Sequence, residues 1–72
     1  MVTFLELPGL QGGPVHVDAS RVVAVEPGQW NDDAQDHAAI LVFDAGARVF
    51  LNYGVRPTLR ELRQARERAQ IK

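Results

Sequence analysis

The carboxyl-terminal segment is the part of this 72-residue sequence in which apolar residues recur with the period of an α-helix. Thr58, followed three residues later by Glu61, forms an S/T-x-x-E capping box, which predicts a helix over residues 58–70. One narrow side of that helix is apolar and consists of Leu59, Leu62, Ala65 and Ala69. Arg66 lies at its edge, where the stem is expected to cover Leu62 while the charged end stays in water.

Upstream of this helix, short apolar segments alternate with glycine- or proline-containing breaks, which is typical of β-strands. The tight link at residues 44–47 predicts a left-handed Gly46 in a hairpin loop. Two of the segments are apolar on both faces, which predicts central strands over residues 21–26 and 38–44. The five predicted strands are VTFLEL (2–7), PVHVD (14–18), RVVAVE (21–26), AAILVFD (38–44) and RVFLNY (48–53).

These elements predict a single α+β domain over residues 1–72, with the strands within 2–53 and the helix at about 58–70. The short links favour antiparallel neighbours, so we expect a curled, half-barrel-like antiparallel sheet of about five short strands. One helix covers only part of such a sheet. A remaining face or edge is therefore expected to contact another chain, and self-association into a homo-oligomer is predicted.

Composition narrows the class of protein. Hydrophobic residues make up 46% of the chain, which is normal for a folded domain, and there is no cysteine for disulfides or zinc thiolates. No apolar stretch approaches the roughly 18 residues of a membrane span, and the first ten residues lack the features of a signal peptide. We therefore expect a cytoplasmic protein that needs no cofactor and contacts no membrane.

The charge is divided unevenly along the chain. Residues 1–57 carry three arginines and seven acidic residues, a net charge of −4, whereas residues 58–72 carry a net charge of +3. Three helix arginines, Arg60, Arg63 and Arg68, could contact phosphates, so a nucleic-acid-associated regulator is an alternative function. The acidic body and the interrupting Glu61 and Glu67 argue against that alternative and favour a solvated helix face.

The polar segment of residues 26–39 separates two apolar strands and contains the single tryptophan. A loop of this length in a small domain favours a functional role. Trp30 either folds back over an open end of the core or anchors an interface, because tryptophan is enriched among residues that dominate binding energy. The predicted protein-binding residues are Gln29, Trp30, Asn31, Asp32 and Asp33.

The same segment contains side chains that can bind a metal ion. Asp32, Asp33, Asp36 and His37 are oxygen and nitrogen donors that a divalent cation accepts. Their spacing does not match a calcium-binding EF-hand loop, and a solvated loop needs the same residue types. We therefore predict no metal site.

Catalysis has little support in the sequence. His16 and Asp18 project from the same face of a predicted strand, as general-base pairs sometimes do. A chain of this size has no second lobe to form a deep cleft, and its glycines lack the features of a phosphate-binding loop. We therefore expect a protein that is not an enzyme and has no catalytic residues.

The order of motifs resembles the small flagellar-operon proteins of the FlbD/SwrD type, and it is shared by other short bacterial and phage proteins. The resemblance covers most of the chain: "VTFLEL", "GLQGG", "VHVDASRVVAVEP", "AILVFDAGARVFL" and the C-terminal helix. It implies an accessory or regulatory role without catalysis. The insertion "GQWNDDAQDH" departs from the family pattern, so no functional residue is carried over. The expected function is binding to a protein of unknown identity, with a phage-encoded inhibitor of a host protein as a further alternative.

Overall fold

The computed structural model describes residues 4–70 of the chain, with side chains up to residue 68. The predicted strand start at Val2, the apolar side chain of Ala69 and the charge of Lys72 lie outside that description. Five strands precede one helix, and a 3-10 turn at Ala19–Arg21 separates the second strand from the third. The elements are β1 (Phe4–Pro8), β2 (Pro14–Asp18), β3 (Val22–Asn31), β4 (Asp36–Phe43), β5 (Arg48–Gly54) and α1 (Val55–Gln70).

The strands form two antiparallel sheets, one of order β1-β2 and one of order β3-β4-β5. A single antiparallel bridge between Gly9 and Leu51 joins them, and the Leu10 N–H donates to the carbonyl oxygen of Phe50 at 3.2 Å. This arrangement confirms the predicted α+β class with five antiparallel strands and a C-terminal helix. The strands do not close into a barrel, and they are divided between two sheets where one curled sheet was predicted.

The core lies between the sheets and one side of α1. Leu62 and Ala65 of the helix are buried there, as their spacing predicted, and the small alanine lets the helix approach closely. Leu59 belongs to the same predicted apolar side but is 45% exposed, so that part of the prediction is wrong. The buried hydrophobic residues are Leu7, Val17, Ala19, Val22, Ala39, Leu41, Leu51, Leu62 and Ala65.

Strand β3 is an edge strand, which corrects the prediction that residues 21–26 are central. Its register with β4 shifts between Val22 and Ala24. The extra residue of such a bulge turns the next side chains over, so Val22 and Val25 both contact the core while Val23 is 65% exposed. The apolar residues at successive positions reflect this bulge, whereas β4 is central as predicted.

The segment predicted as a loop is mostly β-hairpin, so that prediction is wrong. Strands β3 and β4 stay paired as far as Asn31 and Asp36, and only residues 32–35 form the turn. The Pro27-Gly28 pair produces a register shift where it was expected to end the strand. A Cβ on Gly28 would lie 2.9 Å from the carbonyl oxygen of Ala38, so glycine permits the close approach at this irregularity.

The helix begins at Val55, three residues before the predicted start. Thr58 is therefore inside the first turns, fully buried, with no hydrogen-bond partner for its hydroxyl among the described residues. The capping group comes from β4: the carboxylate of Asp36 accepts the Arg56 N–H at 2.9 Å. A distant residue thus satisfies a helix N–H that the local capping box was predicted to satisfy.

Arg66 also departs from its predicted role. Its guanidinium donates to the carbonyl oxygens of Ala19, at 3.0 Å, and Val22, at 2.6 Å. Ala19 is the first residue of the 3-10 turn and Val22 is the first residue of β3. The charged end that was expected to stay in water therefore ties α1 to the start of the edge strand.

Candidate protein-binding site

The face of the three-stranded sheet that points away from α1 carries a row of apolar side chains. Its apolar members include Ile40 on β4, which pairs with Phe50 on β5, and Val42 on β4. The charged residues Glu26 on β3 and Arg48 on β5 border them, paired with Ile40 and Val42. Their neighbours in the strands, such as Leu41, point to the core, because successive side chains alternate between faces. The helix covers the other face, and Phe50 is left 52% exposed.

This face forms an open groove of about 430 Å³. Three large apolar side chains on its walls are exposed: Leu10 at 59%, Trp30 at 48% and Phe50 at 52%. Ile40 lies between the two aromatic residues in the lining. We call this surface the Trp30 groove and define it by Leu10, Trp30, Ile40 and Phe50. Exposed apolar side chains grouped in one concavity are typical of interaction sites.

Trp30 is held in one orientation by its neighbours. Its ring meets the ring of His37 edge-on, with centroids 5.0 Å apart and planes inclined by 73°. The indole N–H donates to Asp32 Oδ1 at 2.7 Å, and His37 Nδ1 lies 3.0 Å from the carbonyl oxygen of Gly28. Trp30 does not belong to the buried core cluster. Trp30 is 48% exposed, and both roles inferred for it, capping the core and anchoring an interface, stay predictions from the sequence.

The turn beside Trp30 is closed by its own side chains. Asn31 Oδ1 accepts the Asp33 N–H at 2.9 Å and the Ala34 N–H at 3.3 Å, and Gln35 Nε2 donates to the Asp32 carbonyl oxygen at 2.8 Å. Gln35 has a φ of 51°, in the left-handed region. These bonds fix the conformation of the turn beside the groove.

Four of the five predicted binding residues line the groove. They are Gln29, Trp30, Asn31 and Asp32, whereas Asp33 is exposed at the turn outside the lining. Sequence reasoning missed Leu10 and Phe50, which come from distant segments. Phe50 could have been found from strand alternation, since it points opposite to Leu51 in a strand with one buried face. Leu10 follows a Pro-Gly pair and carries no comparable signal.

An ion pair borders the apolar row. Arg48 Nε donates to Glu26 Oε1 at 3.1 Å, and the pair reaches from β5 to β3 over the central strand. The hydrogen bond from Arg48, together with its charge, lowers the pKa of Glu26 below its ordinary value. Both side chains are about half exposed, so the ion pair adds little to the stability of the fold. Its main effect is to place charged groups at the border of the apolar surface.

Of the four candidate metal ligands, three make separate local contacts. Asp36 binds the helix N–H of Arg56, Asp32 accepts the Trp30 N–H, and His37 faces the Gly28 carbonyl. Within residues 4–70, no three histidine, aspartate or glutamate side chains converge on a common point. The structure therefore does not bring these four candidate donors together.

His16 and Asp18 are not paired with each other. His16 Nε2 lies 3.2 Å from Glu6 Oε1 on the neighbouring strand, with both side chains largely exposed. Asp18 instead accepts the N–H and the hydroxyl of Ser20 and caps the 3-10 turn. The arrangement that a general-base pair requires is therefore not formed between them.

The three arginines of the nucleic-acid alternative, Arg60, Arg63 and Arg68, are exposed on α1. Arg56 and Arg66 are engaged by protein groups, Arg56 with Asp36 and the carbonyl oxygen of Gln35. The three predicted arginines therefore remain exposed, whereas Arg56 and Arg66 already contact protein groups.

No protein-family model, curated protein or solved structure matches this chain. The resemblance to the flagellar-operon proteins therefore stays a prediction from the sequence. In the part of the chain that is described, no helix has both the length and the apolar character needed to cross a membrane.

Proposed function

We propose that this protein is a small non-enzymatic binding module that holds a segment of another protein in the Trp30 groove. The observation that supports this is the grouping of Leu10, Trp30 and Phe50, all about half exposed, in one concavity. An accessory or regulatory role in the cytoplasm, as the cysteine-free sequence predicts, is compatible with such a module.

The charge around the groove indicates the chemistry of the partner. Asp32 and Asp33 lie at the adjoining turn, and Asp33 makes no ion pair among residues 4–70. Arg48, on the same side of the sheet, is already paired with Glu26. The partner segment should therefore carry an aromatic or large aliphatic anchor with lysine or arginine beside it, since complementary charge steers association.

A selection from a display library of random linear peptides tests this function. We expect enriched peptides to combine an apolar anchor with flanking basic residues. A synthetic peptide of that kind should change the emission of Trp30, the single tryptophan of the chain. Phe50→Ser should weaken its binding about tenfold or more, because buried aromatic contacts dominate binding energy.

Val23→Ser is the matched control, since Val23 is also an exposed apolar side chain, at 65% against 52% for Phe50, but lies outside the groove. It should leave peptide binding unchanged, and circular dichroism should show both variants folded. Failure to enrich any peptide, or equal binding by folded Phe50→Ser and wild type, would overturn the proposal.

A further inference from the structure

A second surface, on the other side of the molecule, is formed by the free edge of β3. This strand pairs with β4 on one side, and within residues 4–70 it has no strand partner on the other. Its first four residues are Val-Val-Ala-Val, and Val23 is 65% exposed. Edge strands of monomers usually carry charged residues or proline that discourage pairing, and none lies between Val22 and Val25.

Helix α1 forms the second wall of a groove of about 550 Å³ along this edge. Leu59, 45% exposed, supplies apolar surface to that wall. The Arg66 guanidinium donates to the carbonyl oxygen of Val22, so the strand edge is available for pairing from Val23 onward. Pro27 and the register shift that follows it limit regular pairing to the segment before Pro27. Residues 23–26 therefore form a short strand edge beside an accessible helix, apolar from Val23 to Val25 and ending at Glu26, whose carboxylate is paired with Arg48.

The charges on the helix wall indicate which molecule fits this edge. Arg63 and Glu67 both line the groove one helical turn apart, yet the two form no ion pair with each other or with any other described residue. A two-fold axis between them would bring Arg63 of each copy against Glu67 of the other. A surface with one cation and one anion so spaced is self-complementary, as a two-fold interface requires.

We propose that the protein forms a homodimer in which residues 23–26 of two copies pair antiparallel and their α1 helices meet through reciprocal contacts between Arg63 and Glu67. The paired edges join the two three-stranded sheets into one. Exposed Val23 and Leu59 are then buried between the copies. The Trp30 groove lies on another part of the molecule and stays open in both copies.

Charge exchange tests this dimer. Sedimentation equilibrium should give the wild type a mass approaching twice the 8.0 kDa of one chain as concentration rises. Arg63→Glu and Glu67→Arg should each raise the dimer dissociation constant about tenfold or more, because each creates two like-charge contacts. An equimolar mixture of the two variants should dimerise again, since every reciprocal contact in the heterodimer then joins opposite charges.

Val23→Lys should abolish dimerisation through the strand edge, whereas Phe50→Ser should leave it unchanged. A wild type that stays monomeric at the highest soluble concentration would overturn the proposal. So would folded single variants that dimerise like the wild type, or a mixture that fails to recover. Because peptide binding is tested at a different surface, either proposal can fail while the other holds.

Discussion

At the scale of single residues, Asp36 connects the β3–β4 hairpin to the start of α1. Asp36 is buried and is the first residue of β4 after the hairpin turn. Its two carboxylate oxygens accept the N–H groups of Arg56 and His37. A Cβ on Gly54 would lie 2.7 Å from Asp36 Oδ2, so glycine just before the helix leaves room for this contact. One side chain therefore sets the position of the helix start relative to the sheet.

The same contacts predict a dependence of stability on pH. The hydrogen bond from the Arg56 N–H is the main reason that the pKa of Asp36 lies below its ordinary value of 3.8. Because that pKa is lower in the folded chain than in the unfolded one, ionised Asp36 stabilises the fold above the unfolded-state pKa. This stabilisation is lost as pH falls through the folded-state pKa.

Asp36→Asn tests this linkage. The amide offers one acceptor oxygen where the carboxylate offers two, so we expect a lower melting temperature than wild type at neutral pH. The difference should shrink as acid protonates Asp36 in the wild type. Thermal unfolding followed by circular dichroism across an acid titration measures it. Asp44→Asn, at an exposed turn, is the control and should follow the wild type; a pH-independent difference for Asp36→Asn would contradict the linkage.

At the scale of elements, β3 and α1 are linked by Arg66. Its bonds to the Ala19 and Val22 carbonyls hold the helix against the 3-10 turn and the start of the edge strand. Helix packing here comes from a narrow apolar side, with Leu62 and Ala65 buried. A charged group that satisfies backbone acceptors supplements this limited burial.

Arg66→Met should keep the apolar stem and remove the donors. We expect a loss of about 1 kcal/mol in the free energy of unfolding, because two backbone carbonyls lose a charged partner that water replaces in part. Urea titration measures the change. Arg68→Met, which alters an exposed arginine on the same helix, should have almost no effect. Equal effects from the two substitutions would show that the Arg66 contacts contribute nothing.

At the scale of the whole molecule, one helix covers one side of the strands and leaves the other side open. The buried core is made mostly of valine, leucine and alanine, while Trp30 and Phe50 lie outside it. Two of the aromatic side chains thus line an exposed groove, whereas Phe43 and Tyr53 pack against the core. This distribution supports the proposal that the Trp30 groove binds another protein.

Two adjacent residues of β4 distinguish the two sides. Leu41 is fully buried, whereas Ile40 lines the Trp30 groove. Leu41→Ala should cost about 3 kcal/mol of unfolding free energy, because it removes core contacts and leaves a cavity. Ile40→Ala should cost about 1 kcal/mol or less, since its side chain is partly solvated. Urea unfolding of both variants measures the two losses of unfolding free energy. A larger loss for Ile40→Ala than for Leu41→Ala would contradict the assignment of Leu41 to the core.

The predictable parts of the fold depend on local patterns. The five strands, the helix, Gly46 in its left-handed turn with φ of 88°, and the buried Leu62 all follow from periodicity and turn chemistry. The groove was predictable only in part. Trp30 stood out as an isolated tryptophan, but Leu10 and Phe50 come together through the bridge between Gly9 and Leu51. Pairing between residues so far apart leaves no local signal.

By itself, the sequence determined the order and type of the elements, because strand and helix periods depend on residues a few positions apart. Tertiary structure decided which strand is at the edge, where the helix begins and which face stays open. Those outcomes depend on the bulge at Val22–Ala24, on Asp36 reaching Arg56 across twenty positions, and on the single helix occupying one side. In each case, groups that are distant in the sequence compete for the same backbone hydrogen-bond donors or for the same apolar surface.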